Sequence, residues 1–157
     1  MDVPDAAAFE AFYRENLARI VRACFLVTLD RQAAEDVAAE SFARLWSKWG
    51  SIHGPDHAGG FVFKTAMRLC RRRSRRIEPA LEARSDEAEA VVERADVFGA
   101  LARLPVRQRQ AVVLRDWAGF ATLEVARMMG ARESTVRVHL ARGRAALRVA
   151  LAAEERT

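Results

Sequence analysis

The spacing of the apolar residues is the strongest constraint on the fold, because they recur at helical intervals along most of the chain. One stripe extends from Phe9 to Phe25 and another from Ala34 to Trp49, and alternating runs of Val, Ile and Thr are absent. Further stripes cover residues 61–70, 97–104, 112–117, 122–129 and 135–151. Since a half-buried strand needs an apolar residue at every second position, the sequence predicts an all-α protein.

Glycine and proline mark the breaks between these helices. The stretch "GSIHGPDHAGG", residues 50–60, is dense in both and predicts a loop before a third helix that starts near Phe61. Pro105 suits the first turn of a later helix, and Gly119 is expected to end that helix.

The charge is divided sharply along the chain. Residues 64–77 hold seven basic and no acidic residues, whereas residues 78–93 hold six acidic residues and one basic residue. With 157 residues the chain has room for two small domains. We therefore predict helical domains at residues 1–77 and 94–157, joined by an acidic linker at residues 78–93.

The stretch "TLEVARMMGARESTVRVHLARGR", residues 122–144, has the spacing of a helix-turn-helix. Ala126 is small where two helices would cross, and Gly130 tolerates the positive φ of the turn. Val136 would face the first helix, and Ser134 is a suitable N-cap for the second. The other interpretation is an amphipathic helical hairpin with a solvated basic face.

A recognition helix of this kind presents its N-terminal residues to base edges in the major groove. Arg137 and Arg142 are predicted to contact bases, and Arg144 to meet a phosphate or solvent. The full set predicted to contact DNA is Arg132, Ser134, Thr135, Arg137, Val138, Ala141, Arg142 and Arg144.

A second basic stretch, "FVFKTAMRLCRRRSRR", spans residues 61–76. Cations that neutralise phosphates and aromatic rings on which bases stack are typical of surfaces that bind single-stranded DNA. A solvated arginine face or a nuclear-localisation-like run is the other interpretation, and a membrane-surface helix is disfavoured because the segment lacks a broad Trp/Leu insertion face. The predicted contact residues are Phe61, Phe63, Lys64, Arg68, Arg71, Arg72, Arg73, Arg75 and Arg76.

Other chemistries find little support. Cys24 and Cys70 fall on apolar helix faces and are expected to be buried free thiols. His53 and His57 lack enough neighbouring ligands for a metal site, and no motif of nucleophilic or metal-dependent catalysis occurs. We expect a cytoplasmic protein that is not an enzyme and has no cofactor, no metal and no membrane span.

Nearly the whole chain, residues 9–151, resembles the extracytoplasmic-function sigma factors of bacterial RNA polymerase, especially their small actinobacterial members. The resemblance rests on "FYRENLARIVRACFLVTLDRQAAEDVAAESFARLWSKW" and "FVFKTAMRLCRRRSRR" in the first half. In the second half it rests on "ALARLPVRQRQAVVLRDWAGFATLEVARMMGARESTVRVHLARGRAAL", where "LPVRQRQAVVLRDWAG" is the most specific part.

The resemblance implies a promoter-specificity subunit with two DNA-binding regions. Region 2 would open the −10 element with residues 50–60 and the following helix, and region 4 would read the −35 element with the recognition helix. The implied polymerase contacts are the β′ clamp helices and the β flap, and an anti-sigma factor is a further partner that the family suggests. The clamp-binding positions are Asp36, Ala39, Glu40, Phe42 and Trp46.

Three positions depart from the usual family residues. Ala39 replaces a glutamine, which removes a hydrogen bond worth about 1 kcal/mol at the polymerase interface. Phe61 replaces a tryptophan, and Arg68 replaces an asparagine beside the DNA that is opened.

Two other functions are compatible with parts of the sequence. One is a helix-turn-helix regulator that has lost its polymerase function, and the other is a helical protein that only sequesters a partner. The C-terminal part also resembles the DNA-binding domain of two-component regulators, but their α/β receiver domain has no counterpart in this helical sequence.

Overall fold

The computed structural model describes residues 5–84 and 95–156. Within these residues the chain forms helices and no β-strand, as the apolar spacing predicts. A 3₁₀ turn at Trp49–Ser51 and a π-helical turn at Val113–Trp117 interrupt the α-helices. The α-helices are α1 (Ala6–Thr28), α2 (Arg31–Lys48), α3 (Pro55–Arg84), α4 (Ala95–Ala102), α5 (Val106–Val112), α6 (Thr122–Met129) and α7 (Glu133–Glu154).

Helices α1, α2 and α3 pack on one another to form an N-terminal unit. Two aspartates start the first two helices: Asp5 accepts a hydrogen bond from the amide of Ala8, and Asp30 accepts one from the amide of Ala33. The shared core includes Cys24 of α1 and Cys70 of α3, which are buried free thiols as predicted. The Cys24 thiol and burial together raise the pKa of the Cys70 thiol.

The predicted loop at residues 50–60 is mostly wrong, because α3 begins at Pro55. Proline favours the first turn of a helix since its fixed φ is already helical and its missing N–H needs no partner there. The amide of Ala58 accordingly donates to the carbonyl of Gly54. Only residues 52–54 are irregular, and α3 extends through residues 78–84 of the predicted linker. Residues 85–93 of that linker lie outside the described residues.

In the C-terminal unit, α5 continues directly into the π-helical turn, where the amide of Ala118 donates to the carbonyl of Val113. Gly119, with φ +81°, then ends the segment as predicted. Helix α5 packs closely against α7 at Gly143. A Cβ atom at this position would lie only 2.9 Å from a methyl carbon of Val112. Only glycine therefore permits this separation between the two helices.

Helices α6 and α7 form the predicted helix-turn-helix. Gly130 adopts φ +61° after α6, and Ala126 and Val136 are buried between the two helices. The predicted N-cap at Ser134 is wrong, since α7 starts two residues earlier than that cap implies, at Glu133, and its N-cap is Arg132, without a side-chain hydrogen bond. The amides of the first turn of α7 therefore have no side-chain cap at Arg132.

No helix in the described residues is long and apolar enough to cross a membrane.

Replacing Gly130 by alanine is expected to destabilise the fold by about 1–2 kcal/mol, because a Cβ atom disfavours the left-handed backbone. A Cβ at this position meets no atom within 4 Å, so the cost is confined to the backbone. The free energy of unfolding in urea measures it. Gly99→Ala is the matched control, since Gly99 lies inside α4 and a Cβ there also meets no atom within 4 Å. This substitution should raise the free energy of unfolding by up to about 1 kcal/mol.

Candidate nucleic-acid and polymerase interfaces

Helix α7 has one buried and one exposed side. Val136 and Leu140 face the core, while four of the residues predicted to contact DNA, Arg137, Val138, Ala141 and Arg142, are exposed together on the opposite side. This arrangement leaves two arginines, a methyl group and a branched apolar side chain available to base edges. Arginine suits guanine, and small apolar groups suit the thymine methyl.

The N-terminal end of α7 is a suitable place for phosphate. Arg132, Ser134 and Thr135 are exposed around it, and the first-turn amides carry the positive end of the helix dipole. The guanidinium of Arg137 donates to Glu133 Oε1 at 2.7 Å, so this ion pair would have to rearrange for Arg137 to reach a base.

Arg144, in contrast, already has a partner within the protein. Its Nε and Nη2 atoms donate to the two carboxylate oxygens of Asp116 at 2.9 and 2.6 Å. The hydrogen bond from Arg144 holds the pKa of the Asp116 carboxyl below its usual range. Sequence reasoning placed Arg144 at a phosphate or in solvent, and Asp116 drew no attention because it lies 28 residues away in the chain.

His139 of α7 is half-buried and lies near two arginines. Burial lowers the pKa of this histidine, and the charges of Arg107 and Arg142 lower it further. Arg107 was not predicted as important, yet it donates to the carbonyl of Met129 at the end of α6 and to Gln110. It thereby ties α5 to the turn that precedes α7.

The basic residues of α3 form a ridge along one side of that helix. Lys64, Arg68 and Arg72 are exposed at successive four-residue intervals, and Phe61 lies half-buried one turn before Lys64. Arg71 and Arg73 are half-buried, and the side chains of Arg75 and Arg76 lie outside the described part of the chain. The ridge, defined as Phe61, Lys64, Arg68 and Arg72, combines a ring with three cations.

Phe63, the other aromatic residue predicted to stack on DNA, does not belong to this ridge. It is only 2% exposed, because Phe120 of the C-terminal unit packs edge-on against it with ring centroids 4.9 Å apart. The guanidinium of Arg19 lies 5.5 Å from the Phe63 ring and 5.0 Å from the Phe120 ring. In this structure Phe63 is therefore a contact between the two halves of the chain.

Polar contacts accompany this packing. Gln110 of α5 donates to the carbonyl of Met67 in α3, and Arg109 donates to the carbonyl of Val27 in α1, each at 2.7 Å. Both side chains are fully buried. Arg19 also donates to the carbonyl of Ala118, so hydrogen bonds join both units in addition to the apolar core.

The residues predicted to bind the polymerase lie on α2, and four of the five reach its surface. Ala39, Glu40 and Trp46 are exposed, and Asp36 is half-buried beside Arg73 at 3.6 Å. Phe42 is different, because it is 2% exposed and packs against Tyr13 with ring centroids 4.9 Å apart. Phe42 therefore supports the α2 surface from beneath and cannot contact a partner directly.

Two family models match the chain, one in each half. The model described as Sigma-70 region 2 matches residues 12–78, and the model described as Sigma-70, region 4 matches residues 94–147. The first match covers the helices that carry the basic ridge, and the second covers the helix-turn-helix.

Curated relatives are similar over almost the whole chain. The ECF RNA polymerase sigma factor SigL of Mycobacterium tuberculosis is 29% identical over 160 residues, covering 94% of this chain and 90% of SigL. SigM of the same organism is 29% identical over 91% of this chain and 76% of its own length. The RNA polymerase sigma-E factor of Streptomyces coelicolor is 28% identical, covering 94% of this chain and 88% of its own length.

Solved structures share the fold. The sigma factor RpoE of Bartonella quintana, solved in complex with the anti-sigma factor NepR, superposes with a TM-score of 0.75 at 19% identity, over 92% of this chain and 96% of that one. CnrH, solved in complex with the cytosolic domain of CnrY, gives a TM-score of 0.75 at 21% identity, over 95% of this chain and 90% of its own.

The chain therefore belongs to the sigma-70 family, as an extracytoplasmic-function sigma factor. Sigma factors are specificity subunits and not enzymes: the protein binds core RNA polymerase and directs promoter-specific initiation.

Burial of Phe42 predicts that its substitutions act on stability and not on a partner. Phe42→Ala should lower the free energy of unfolding by about 3–5 kcal/mol, because it leaves a cavity among aromatic rings. Phe42→Leu should cost less than about 1.5 kcal/mol and keep the affinity for core polymerase. Trp46→Ala is the comparison at an exposed position. It should reduce the free energy of polymerase binding by more than it reduces the free energy of unfolding. Equal losses of polymerase affinity in Phe42→Leu and Trp46→Ala would contradict this assignment.

Proposed function

We propose that the protein performs its promoter-directing function with two separate DNA surfaces. The C-terminal unit would read the −35 element through Arg137, Val138, Ala141 and Arg142 of α7. The basic ridge of α3 would hold the −10 element as it opens. The observation that carries this proposal is the presence, in one chain, of an exposed recognition helix and a separate aromatic and cationic ridge.

The ridge suits a single strand better than a duplex. Lys64, Arg68 and Arg72 recur every 6 Å or so along the helix, which is about the spacing between neighbouring phosphates of an extended strand. Phe61 at one end would supply the ring on which a base stacks. Arg68 adds a charge at a position where the family usually has an amide, and this favours backbone contact over base reading.

For core polymerase, we propose the exposed side of α2 as the surface that meets the β′ clamp helices. Asp36, Glu40 and Trp46 combine two carboxylates with an indole, a suitable surface for a basic and apolar partner. Ala39 contributes no hydrogen bond there. The C-terminal unit is the proposed partner of the β flap. The domain limits of 1–77 and 94–157 with a linker at 78–93 belong to the same proposal, and the first seven residues of that linker continue α3.

Binding to both promoter elements requires the two halves to separate. The −10 and −35 elements lie about 25 base pairs apart, which is about 85 Å of duplex. A compact chain of this length has a radius of gyration of about 15 Å. The described residues form the compact arrangement, in which Phe120 covers Phe63. We therefore propose that the compact form is the DNA-free form and that it opens on the polymerase.

The compact form also suggests how the protein is controlled. Both structural neighbours were solved in complexes, the sigma factor RpoE with the anti-sigma factor NepR and CnrH with the cytosolic domain of CnrY. We propose that an anti-sigma factor binds this chain as well and holds its halves together. The protein itself would act in the cytoplasm, where the polymerase transcribes.

A DNA-binding regulator without polymerase function is the competing proposal. It needs only the C-terminal unit and gives no role to the exposed α2 surface or to the ridge. In vitro transcription with purified core polymerase and a promoter library distinguishes the two. The proposal expects transcripts from promoters with a shared −10 and −35 sequence, whereas failure to bind core polymerase in a pull-down would overturn it.

In the same library, Arg137→Ala should relax sequence preference at one −35 position by about 1–3 kcal/mol, because a bidentate contact to guanine is lost. Preference at the other positions should remain. Arg148→Ala is the matched control, since Arg148 is also exposed on α7 but lies three turns further along. A uniform loss at all sequences for Arg137→Ala would show a phosphate contact instead of base reading.

Opening can be followed by energy transfer between dyes at Ser47→Cys on α2 and Glu155→Cys after α7, because both positions are exposed. The free protein should show one high-transfer state, and the promoter complex with core polymerase a low-transfer state. Phe120→Ala should raise the open fraction about tenfold, since it removes a ring pair and a cation–π contact. Leu123→Ala, at an exposed position of α6, should change nothing. High transfer in the promoter complex would contradict the proposed opening.

A further inference from the structure

The bidentate pair between Asp116 and Arg144 lies beside the recognition surface. In helical register, Arg144 lies two turns after Arg137 on nearly the same side of α7, about 10 Å along the axis. An arginine at such a position would ordinarily contact a phosphate. Here its Nε and Nη2 atoms both donate to one carboxylate, which the π-helical turn at Val113–Trp117 presents from outside α7.

Gly143, the residue before Arg144, sets how closely α7 approaches α5. Gly143 brings α7 so close to α5 that an added Cβ would lie 2.9 Å from a methyl carbon of Val112 and 3.4 Å from the carbonyl oxygen of Gln108. The close contact fixes the distance between the helices, but a glycine has no side chain to fix their rotation. A planar guanidinium held at two points on the next residue restricts that rotation.

We propose that Asp116 and Arg144 are positioning residues, which set the rotation of α7 so that Arg137 and Arg142 meet the base edges, and that Arg144 does not bind a phosphate. The inference rests on the proposed −35 contact and deepens it. The hydrogen bond from Arg144 lowers the pKa of Asp116, so the pair stays charged at neutral pH. Both side chains are about 40% exposed, and stabilisation of the fold is therefore a minor effect.

The two roles of Arg144 predict opposite effects for its partner. If Arg144 binds a phosphate, Asp116→Asn frees it and removes a repelling charge, so DNA binding strengthens. If the pair positions α7, Asp116→Asn weakens binding even though it removes that negative charge. A change at Asp116 therefore separates the roles more cleanly than a change at Arg144.

The test measures the affinity of the full chain, assembled with core polymerase, for a duplex that carries the −35 element, by fluorescence anisotropy over a range of salt concentrations. Asp116→Asn and Arg144→Gln should each weaken specific binding about fivefold, and the double variant should be no weaker than either single variant. The slope of log affinity against log salt should not change in any of them. Arg148→Gln is the control for loss of one positive charge from α7.

The exchanged pair, Asp116→Arg with Arg144→Asp, gives a rescue. It should restore binding to within about twofold, since the two groups can pair in either direction. If Arg144 contacts a phosphate, the exchanged pair puts a carboxylate against DNA and binds more weakly than either single variant. Tighter binding by Asp116→Asn, or a salt slope reduced by about one in Arg144→Gln alone, overturns the inference.

Failure of the proposed function gives a different result. In that case the unmodified protein shows no sequence preference for any duplex. Amide hydrogen exchange of α7 in the free protein then decides the positioning role, because it needs no DNA. Equal loss of protection in Asp116→Asn and Arg144→Gln supports the role, and unchanged protection in both overturns it.

Discussion

The buried guanidinium of Arg109 is the constraint that the compact structure has to satisfy, because it lies fully enclosed between the two halves of the chain. Burying a guanidinium costs several kcal/mol unless its donors find acceptors. Arg109 meets the carbonyl of Val27, in the last turn of α1, and the carbonyl of Leu104, just after α4. Helix C-termini leave carbonyls without intrahelical partners and carry partial negative charge. One side chain of the C-terminal unit thus completes the end of a helix in the N-terminal unit.

This kind of contact suits an interface that opens. The carbonyl of Val27 can accept from water as readily as from Arg109, so separation exposes groups that remain satisfied. Gln110 behaves similarly toward the carbonyl of Met67. Separation costs free energy mainly at the apolar contacts between aromatic rings. These are Phe63 with Phe120, and Phe25 with Phe98, whose ring centroids are 5.3 Å apart. Interfaces of mixed polar and apolar character commonly permit relative motion of the parts they join.

The local pattern of the sequence predicted the helices well, because each depends on contacts between near neighbours. The apolar stripes, the glycine at position 130 and the buried Val136 are of this kind. The errors arose where one residue type has two uses. Pro55 and the following glycines suggested a loop, yet proline also begins helices, and Ser134 resembled a cap that Arg132 occupies.

The site was harder to predict, since exposure depends on residues distant in the chain. Phe61 and Phe63 look equivalent in the sequence, but only Phe63 meets Phe120, which lies 57 positions later. Phe42 and Trp46 are one helical turn apart, and only the rings of α1 decide which is enclosed. The sequence does not predict the contacts of Asp116, Arg107 and Arg19, because their partners are distant in the chain and no local pattern reveals them.

The two cysteines have a practical consequence. Both are fully enclosed between α1 and α3, and a thiol must ionise to react, so neither should be alkylated while these helices remain packed. The rate of alkylation of the native chain therefore measures how often the packing around these two helices opens. The native cysteines thus serve as built-in probes of local unfolding. Dyes can also be attached at introduced surface thiols without first removing the native ones.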